Sequence, residues 1–201
     1  MTIDQWIALV AGIVGGALRV GAPFLFVSLG ECLTEKSGRI NLGLEGVLVL
    51  SAMAAFGGSW LTGSAWLGVL IGGAAGALLA LLHGLLCSLD RVNDVATGIA
   101  LMLFGTGLAF YLGKPLIQPQ APQLPAIPLG DWSDNPVIRS ALQVNSLVPV
   151  GIVLAVFLWW GFARTRAGLL VRMAGDSANA TRALGYSVAG LRIAATTAGG
   201  F

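Results

Sequence analysis

The chain has 201 residues, 56% hydrophobic and 10% charged, with a net charge of +2. Soluble domains carry roughly 25% charged residues, so the composition points away from a water-soluble fold and towards a protein that lives in lipid. The 29 glycines suit close helix packing in a membrane. No Gly-Lys-Ser/Thr nucleotide-binding pattern and no catalytic constellation occurs, so an energy source has to come from a partner. Cys32 and Cys87 fall in or beside apolar segments and read as small packing residues rather than a disulfide or metal pair. Nothing in the sequence calls for a nucleic-acid partner.

A membrane span needs about 20 apolar residues. The first apolar block, from about Trp6 to Leu33, is longer than that and contains Arg19 and Pro23. It reads as a helix over Ile3–Leu18, lying in or dipping into the membrane, followed by a span over about residues 20–35 that starts near Pro23. Residues 1–18 lack a positive leader, since Asp4 is the only charge before Arg19, so this stretch is expected to be retained. Further spans are expected at about residues 43–61, 65–89, 95–112 and 146–163, with an outer loop over 113–145 rich in Pro and Gln. A last block, 191–201, is too short to cross a bilayer and ends without a polar stop. The chain is therefore expected to be a C-terminally truncated part of a longer protein.

Orientation follows from the Lys and Arg bias. If segment 164–190 is cytoplasmic, Lys36, Arg39, Arg91, Arg164, Arg166, Arg172, Arg182 and Arg192 all fall inside, against Lys114 and Arg139 outside. Trp60 and Trp66 then flank an outer turn, and Trp159 and Trp160 mark an inner edge, as an aromatic belt would. The third block carries Gly68, Gly72, Gly76, Ala80 and Gly84, a small residue at every fourth position, which predicts a buried packing seam. His83, the only histidine, has no second ligand at metal spacing and reads as a satisfied interior residue. Asp90 and Asp94, flanking Arg91, read as a solvated turn.

Two motifs carry functional expectations. The first is Gly30-Glu31, then Glu35-Lys36-Ser37-Gly38-Arg39-Ile40-Asn41-Leu42-Gly43-Leu44-Glu45-Gly46. Asn41 and Glu45 would share a face if helical, and a carboxylate at a membrane edge is usually paired or functional. Asn41 and Glu45, with Thr97 and Met102 of the fourth block, are the candidate substrate-pathway residues; an ordinary cytoplasmic turn is the alternative.

The second motif runs Asp176-Ser177-Ala178-Asn179-Ala180-Thr181-Arg182-Ala183-Leu184-Gly185. Asp176 or Ser177 can cap a short helix, and Gly185 can close it in the left-handed conformation. Gly168 and Gly175 are expected to break the approach to it. Such a helix suits docking into a groove on another protein, or else rests on lipid headgroups with Arg182 meeting phosphates. The candidate docking residues are Asp176, Ser177, Asn179, Ala180, Arg182, Leu184 and Gly185.

The first motif resembles the early signature of nucleoside-type permease subunits of bacterial ABC importers, which belong with the simple-sugar and branched-chain amino-acid permeases. Thr165-Arg166-Ala167-Gly168-Leu169, Arg172, Gly175-Asp176-Ser177, Ala180 and Ala183-Leu184-Gly185 resemble that family's cytoplasmic coupling segment. Met102 stands where nucleoside-type members often carry Asn.

The resemblance implies an all-α, multi-span permease of the bacterial inner membrane. It would move nucleosides or related sugar-containing solutes and bind no cofactor itself. ATP-Mg would sit on two partner ATP-binding subunits. A second permease subunit, identical or different, an extracytoplasmic solute-binding lipoprotein and membrane lipid would be its other partners. An ion-coupled secondary transporter and a non-transporting membrane scaffold are the rival readings.

Overall fold

The structure, a computed structural model, describes residues 3–201. It is built mostly from helices: α1 (Ile3–Lys36), α2 (Leu44–Thr62), α3 (Ala65–Leu86), α4 (Asp94–Gly113), α5 (Pro136–Ala141), α6 (Leu147–Arg164), α7 (Arg166–Asp176), α8 (Ala178–Ala183) and α9 (Val188–Gly200). Five of them, α1, α2, α3, α4 and α6, are long and apolar enough to cross a membrane. Their outer faces leave Leu78, Leu103, Phe110 and Val153 exposed. Apolar surface on that scale would aggregate in water and is at home in lipid. In hydrocarbon a helix satisfies its own backbone, which is why this sequence builds helices wherever it is oily.

The helix α1 runs unbroken from Ile3 to Lys36 with Pro23 inside it. The sequence reading placed a break there. In water an internal proline costs a helix dearly, but neighbouring backbone in a membrane protein re-satisfies the freed carbonyl.

The chain forms two compact units. The smaller comprises, among the described residues, 3–26 and 124–157. Its core joins Ala22 to Val144 and Val148, with Leu18 against them. A two-stranded antiparallel ribbon, β1 (Ala126–Pro128) with β2 (Gln143–Asn145), pairs Ile127 with Val144. The Arg19 Nε donates to the Gln143 carbonyl at 3.1 Å. This ribbon and α5, capped by Asn135, lie within the segment read from sequence as a plain loop.

The larger unit comprises residues 27–123 and 158–201. Its core is Val47, Leu50, Leu79, Leu101 and Ala109, drawn from α2, α3 and α4. The small-residue stripe of α3 is buried and receives neighbouring helices along its length. A Cβ on Gly68 would lie 2.8 Å from the Ser59 Cβ, and one on Gly72 would lie 2.7 Å from the Ala55 Cβ, both on α2. One on Gly76 would strike Gly200 of α9 and Ser51 of α2 together, and one on Gly84 would press on Ile193 of α9. Bare backbone on α3 is what lets two other helices come this close.

Candidate coupling interface and substrate pathway

The two motifs meet at one end of the larger unit. The first occupies the turn between α1 and α2. Its chain reverses at Gly38, whose φ of +84° is a left-handed conformation that favours glycine. The second motif begins in α7. Thr165 caps that helix, its hydroxyl accepting from the Gly168 N–H at 3.0 Å. Gly168 and Gly175 lie inside α7 and do not break it. They are contact points instead. A Cβ on Gly168 would sit 2.6 Å from the Phe162 Cα, and one on Gly175 would collide with the Lys36 carbonyl and lie 3.1 Å from the Gly38 N–H. Thus the backbones of the two motifs touch at Gly38 and Gly175 with no side chain between them.

Beyond this contact comes α8. Asp176 is the last residue of α7, and Ser177 caps α8, its hydroxyl accepting from the Ala180 N–H at 3.2 Å. Thr181, fully buried, donates its hydroxyl to the Ser177 carbonyl and fixes the helix to its base. Gly185 closes the helix at φ +85°, with its N–H on the Arg182 carbonyl at 2.9 Å. The remaining residues face outwards: Asn179, Ala180, Arg182, Ala183 and Leu184 are exposed, Leu184 by 61%. Arg182 Nη1 donates to the Asn179 Oδ1 at 3.2 Å, which holds the guanidinium over the exposed face. A six-residue helix cannot be stable by itself. Here two caps and one buried threonine present an aliphatic and a cationic side chain on a fixed knob.

Beside the knob lies a polar cluster that sequence reading missed. Arg39 Nη1 pairs with Asp94 Oδ1 at 2.7 Å, and Arg39 Nη2 donates to the Ser88 hydroxyl at 3.3 Å. Asp94 is therefore an ion-pair partner and not part of a solvated turn. Arg192 joins the same end through main-chain carbonyls of Ser37 and Ala174. Arg91 holds a positive φ of 67° in the turn between α3 and α4. His83 is buried, with Nε2 3.5 Å from the Cys87 sulfur. Cys32 is exposed and Cys87 buried, so packing explains only the second of the two. Among the described residues no group of three His, Cys, Asp or Glu side chains is placed to hold a metal.

The candidate pathway residues are only partly brought together. Asn41 lies in the turn ahead of α2, not on a helix, and so shares no helical face with Glu45. It is buried, with its Oδ1 accepting from the Gly43 N–H at 2.9 Å and its own N–H on Glu31 Oε1 at 3.2 Å. Glu45 is exposed in the first turn of α2. Thr97 and Met102, both half-buried, lie on α4. Helix α4 packs backbone to backbone here against α2 and the turn ahead of it: a Cβ on Gly46 would lie 2.7 Å from the Met102 Cα, and one on Gly98 would lie 2.8 Å from the Leu42 backbone nitrogen. Gly43, Gly46 and Gly98 were legible as glycines; their role as a seam is fixed by the partner helix.

Five apolar spans, a buried glycine seam and a capped polar knob at one end define a multi-pass membrane protein. The chain belongs to the family of branched-chain amino acid transport system / permease components, whose model matches residues 13–201. It is 30% identical over 195 residues to TsgC13 of Haloferax volcanii, provisionally named a glucose ABC transporter permease protein; the match covers 94% of this chain and 59% of that protein. It is 28% identical to the nucleoside ABC transporter permease protein NupC of Lactococcus lactis, covering 88% of this chain and 59% of the relative. It is 29% identical to the guanosine ABC transporter permease protein NupQ of Bacillus subtilis, covering 90% and 60%. The chain thus spans about three fifths of the length of the relatives it matches. No solved structure gives a significant match.

Proposed function

We propose that the chain is part of the permease subunit of an ABC-type importer that carries nucleosides or related sugar-containing solutes into a bacterial cell across its inner membrane. The observation that carries this reading is the α8 knob. A helix of six residues, capped at both ends and exposing Arg182 and Leu184, is shaped to seat in a groove on a soluble partner. That partner is a pair of ATP-binding subunits, which hold ATP-Mg and perform the hydrolysis. A second permease subunit and an extracytoplasmic solute-binding lipoprotein complete the assembly. Segment 164–190 faces the cytoplasm in this scheme, with the basic residues Lys36, Arg39 and Arg91 on the same side. The names of the relatives support the solute class, since a nucleoside and guanosine both contain a sugar and glucose is one.

In the mechanism, ATP binding draws the partner subunits together and α8 moves with them. The motion passes through α7 to the spans, and solute leaves inwards along a path near Asn41, Glu45, Thr97 and Met102. Asp176, Ser177, Asn179, Ala180, Arg182, Leu184 and Gly185 form the docking surface.

The test is reconstitution with the ATP-binding subunits. Leu184→Asp and Arg182→Glu are each expected to lower solute-stimulated ATP hydrolysis about tenfold or more, since each removes at least about 1.4 kcal/mol of docking contact. Membrane insertion should be unaltered. Undiminished coupling in both variants would count decisively against docking through α8. Uptake that persists without ATP but stops when the protonmotive force is dissipated would instead favour an ion-coupled transporter.

A further inference from the structure

Arg192 stands in the second turn of α9, half-buried, and reaches two other helices. Its Nε donates to the Ser37 carbonyl at 3.0 Å and its Nη2 to the Ala174 carbonyl at 3.0 Å. Both acceptors lie at helix C-termini, just past the end of α1 and in the last turn of α7. Such carbonyls have no intrahelical donor and carry the negative end of the helix dipole. A guanidinium offers several N–H donors in one rigid plane and can satisfy two separate acceptors at once; an ammonium is a point charge without that fork.

The clasp closes over the place where Gly38 and Gly175 touch. A Cβ on Gly38 would lie 2.9 Å from the Gly175 Cα and 2.9 Å from the Arg192 Nη2. Three chain segments therefore meet through backbone and one side chain. The base of α8 is held at that junction, because α8 follows α7 after the single residue Ser177.

We propose that Arg192 is a positioning residue that locks α7, the end of α1 and the start of α9 into one rigid joint, so that a push on α8 reaches the spans undiluted. This rests on the reading of α8 as the docking helix. Loss of the fork leaves two helix-end carbonyls without their donor and lets α7 swing about the glycine contact. Docking would then persist while its mechanical effect on the spans is lost.

The joint can be measured on the full chain without any partner. Cys32 is exposed on α1, and Ala183 is exposed on α8. Nitroxides at Cys32 and at Ala183→Cys report the joint by pulsed dipolar spectroscopy. A control pair joins Cys32 to Leu78→Cys on α3. Arg192→Gln is expected to broaden the first distance distribution and leave the control narrow, and Arg192→Lys to restore part of the narrowness. Gly175→Ala, which wedges the same contact without altering charge, is expected to broaden the first pair as well. An unchanged first pair in Arg192→Gln, or equal broadening of both pairs, overturns the proposal.

In the assembled complex, Arg192→Gln should lower the solute moved per ATP hydrolysed with binding of the ATP-binding subunits retained. An unchanged ratio in a variant whose joint has loosened overturns the transmission role. Failure of the unsubstituted chain to bind those subunits overturns the docking reading instead, with the spectroscopic result standing apart from it.

Discussion

Replacing Asp94 with alanine is expected to destabilise the larger unit by about 3 kcal/mol, the low end of the scale for breaking a buried ion pair from one side. The Arg39 and Asp94 side chains are 10% and 22% exposed, so the guanidinium stranded by the change has little access to water. Among the described residues, its other hydrogen bond is the long one to the Ser88 hydroxyl, and its Nε meets no acceptor. The variant also loses the carboxylate in the first turn of α4, where the helix dipole favours an anion. The double variant Arg39→Met with Asp94→Leu removes both charges and fills the space. It should recover most of the loss, because a buried pair is often replaced by packed apolar residues at no net cost. Thermal unfolding in detergent checks both. A double variant as unstable as Asp94→Ala would show that the pair itself, not the stranded charge, sets the stability.

The second large effect is expected at Gly76. A leucine there cannot be accommodated by a rotamer change, because the obstacles are the Gly200 carbonyl of α9 and the Ser51 hydroxyl of α2, with Val47 Cγ1 3.2 Å away. Overpacking typically costs about 1–3 kcal/mol, and a wedge between three helices belongs at or above the top of that range. The same substitution at Gly107 on α4, where a Cβ meets nothing within 4 Å, should change stability by no more than about 0.5 kcal/mol. Both glycines sit inside apolar helices, so helix propensity and hydrophobicity are matched between them. Comparable unfolding midpoints for the two variants would remove the seam as a structural determinant.

These contrasts explain what was legible in the sequence. The α3 stripe was readable because packing against a helix leaves a periodic mark, one small residue every fourth position. The ends of α8 were readable because a cap is local chemistry: Ser177 and Gly185 perform their parts within a few residues of themselves. The Arg39–Asp94 pair was not, since 55 residues separate partners that carry no mutual signature. Arg192 was harder still, because its partners are carbonyls, which every residue possesses. Gly168 and Gly175 were misread as breakers for the converse reason: a glycine in a helix records a close neighbour, and the neighbour lies elsewhere in the chain. Pro23 misled because its cost in a helix depends on surroundings a sequence does not display.

The even spacing of small residues on α3 has one more implication. A track with identical notches every four residues looks the same to its neighbours after a slide of one notch, about 6 Å along the axis. Gly72 would fall where Gly68 was, and Gly76 where Gly72 was. Steric fit along the stripe therefore sets how near the helices come but is nearly blind to their vertical alignment. That alignment has to be pinned at the ends, by the short Gly63–Ser64 link to α2 on one side and by Ser88 against Arg39 on the other. Lengthening that link would remove the covalent stop on the vertical register of α3 against α2.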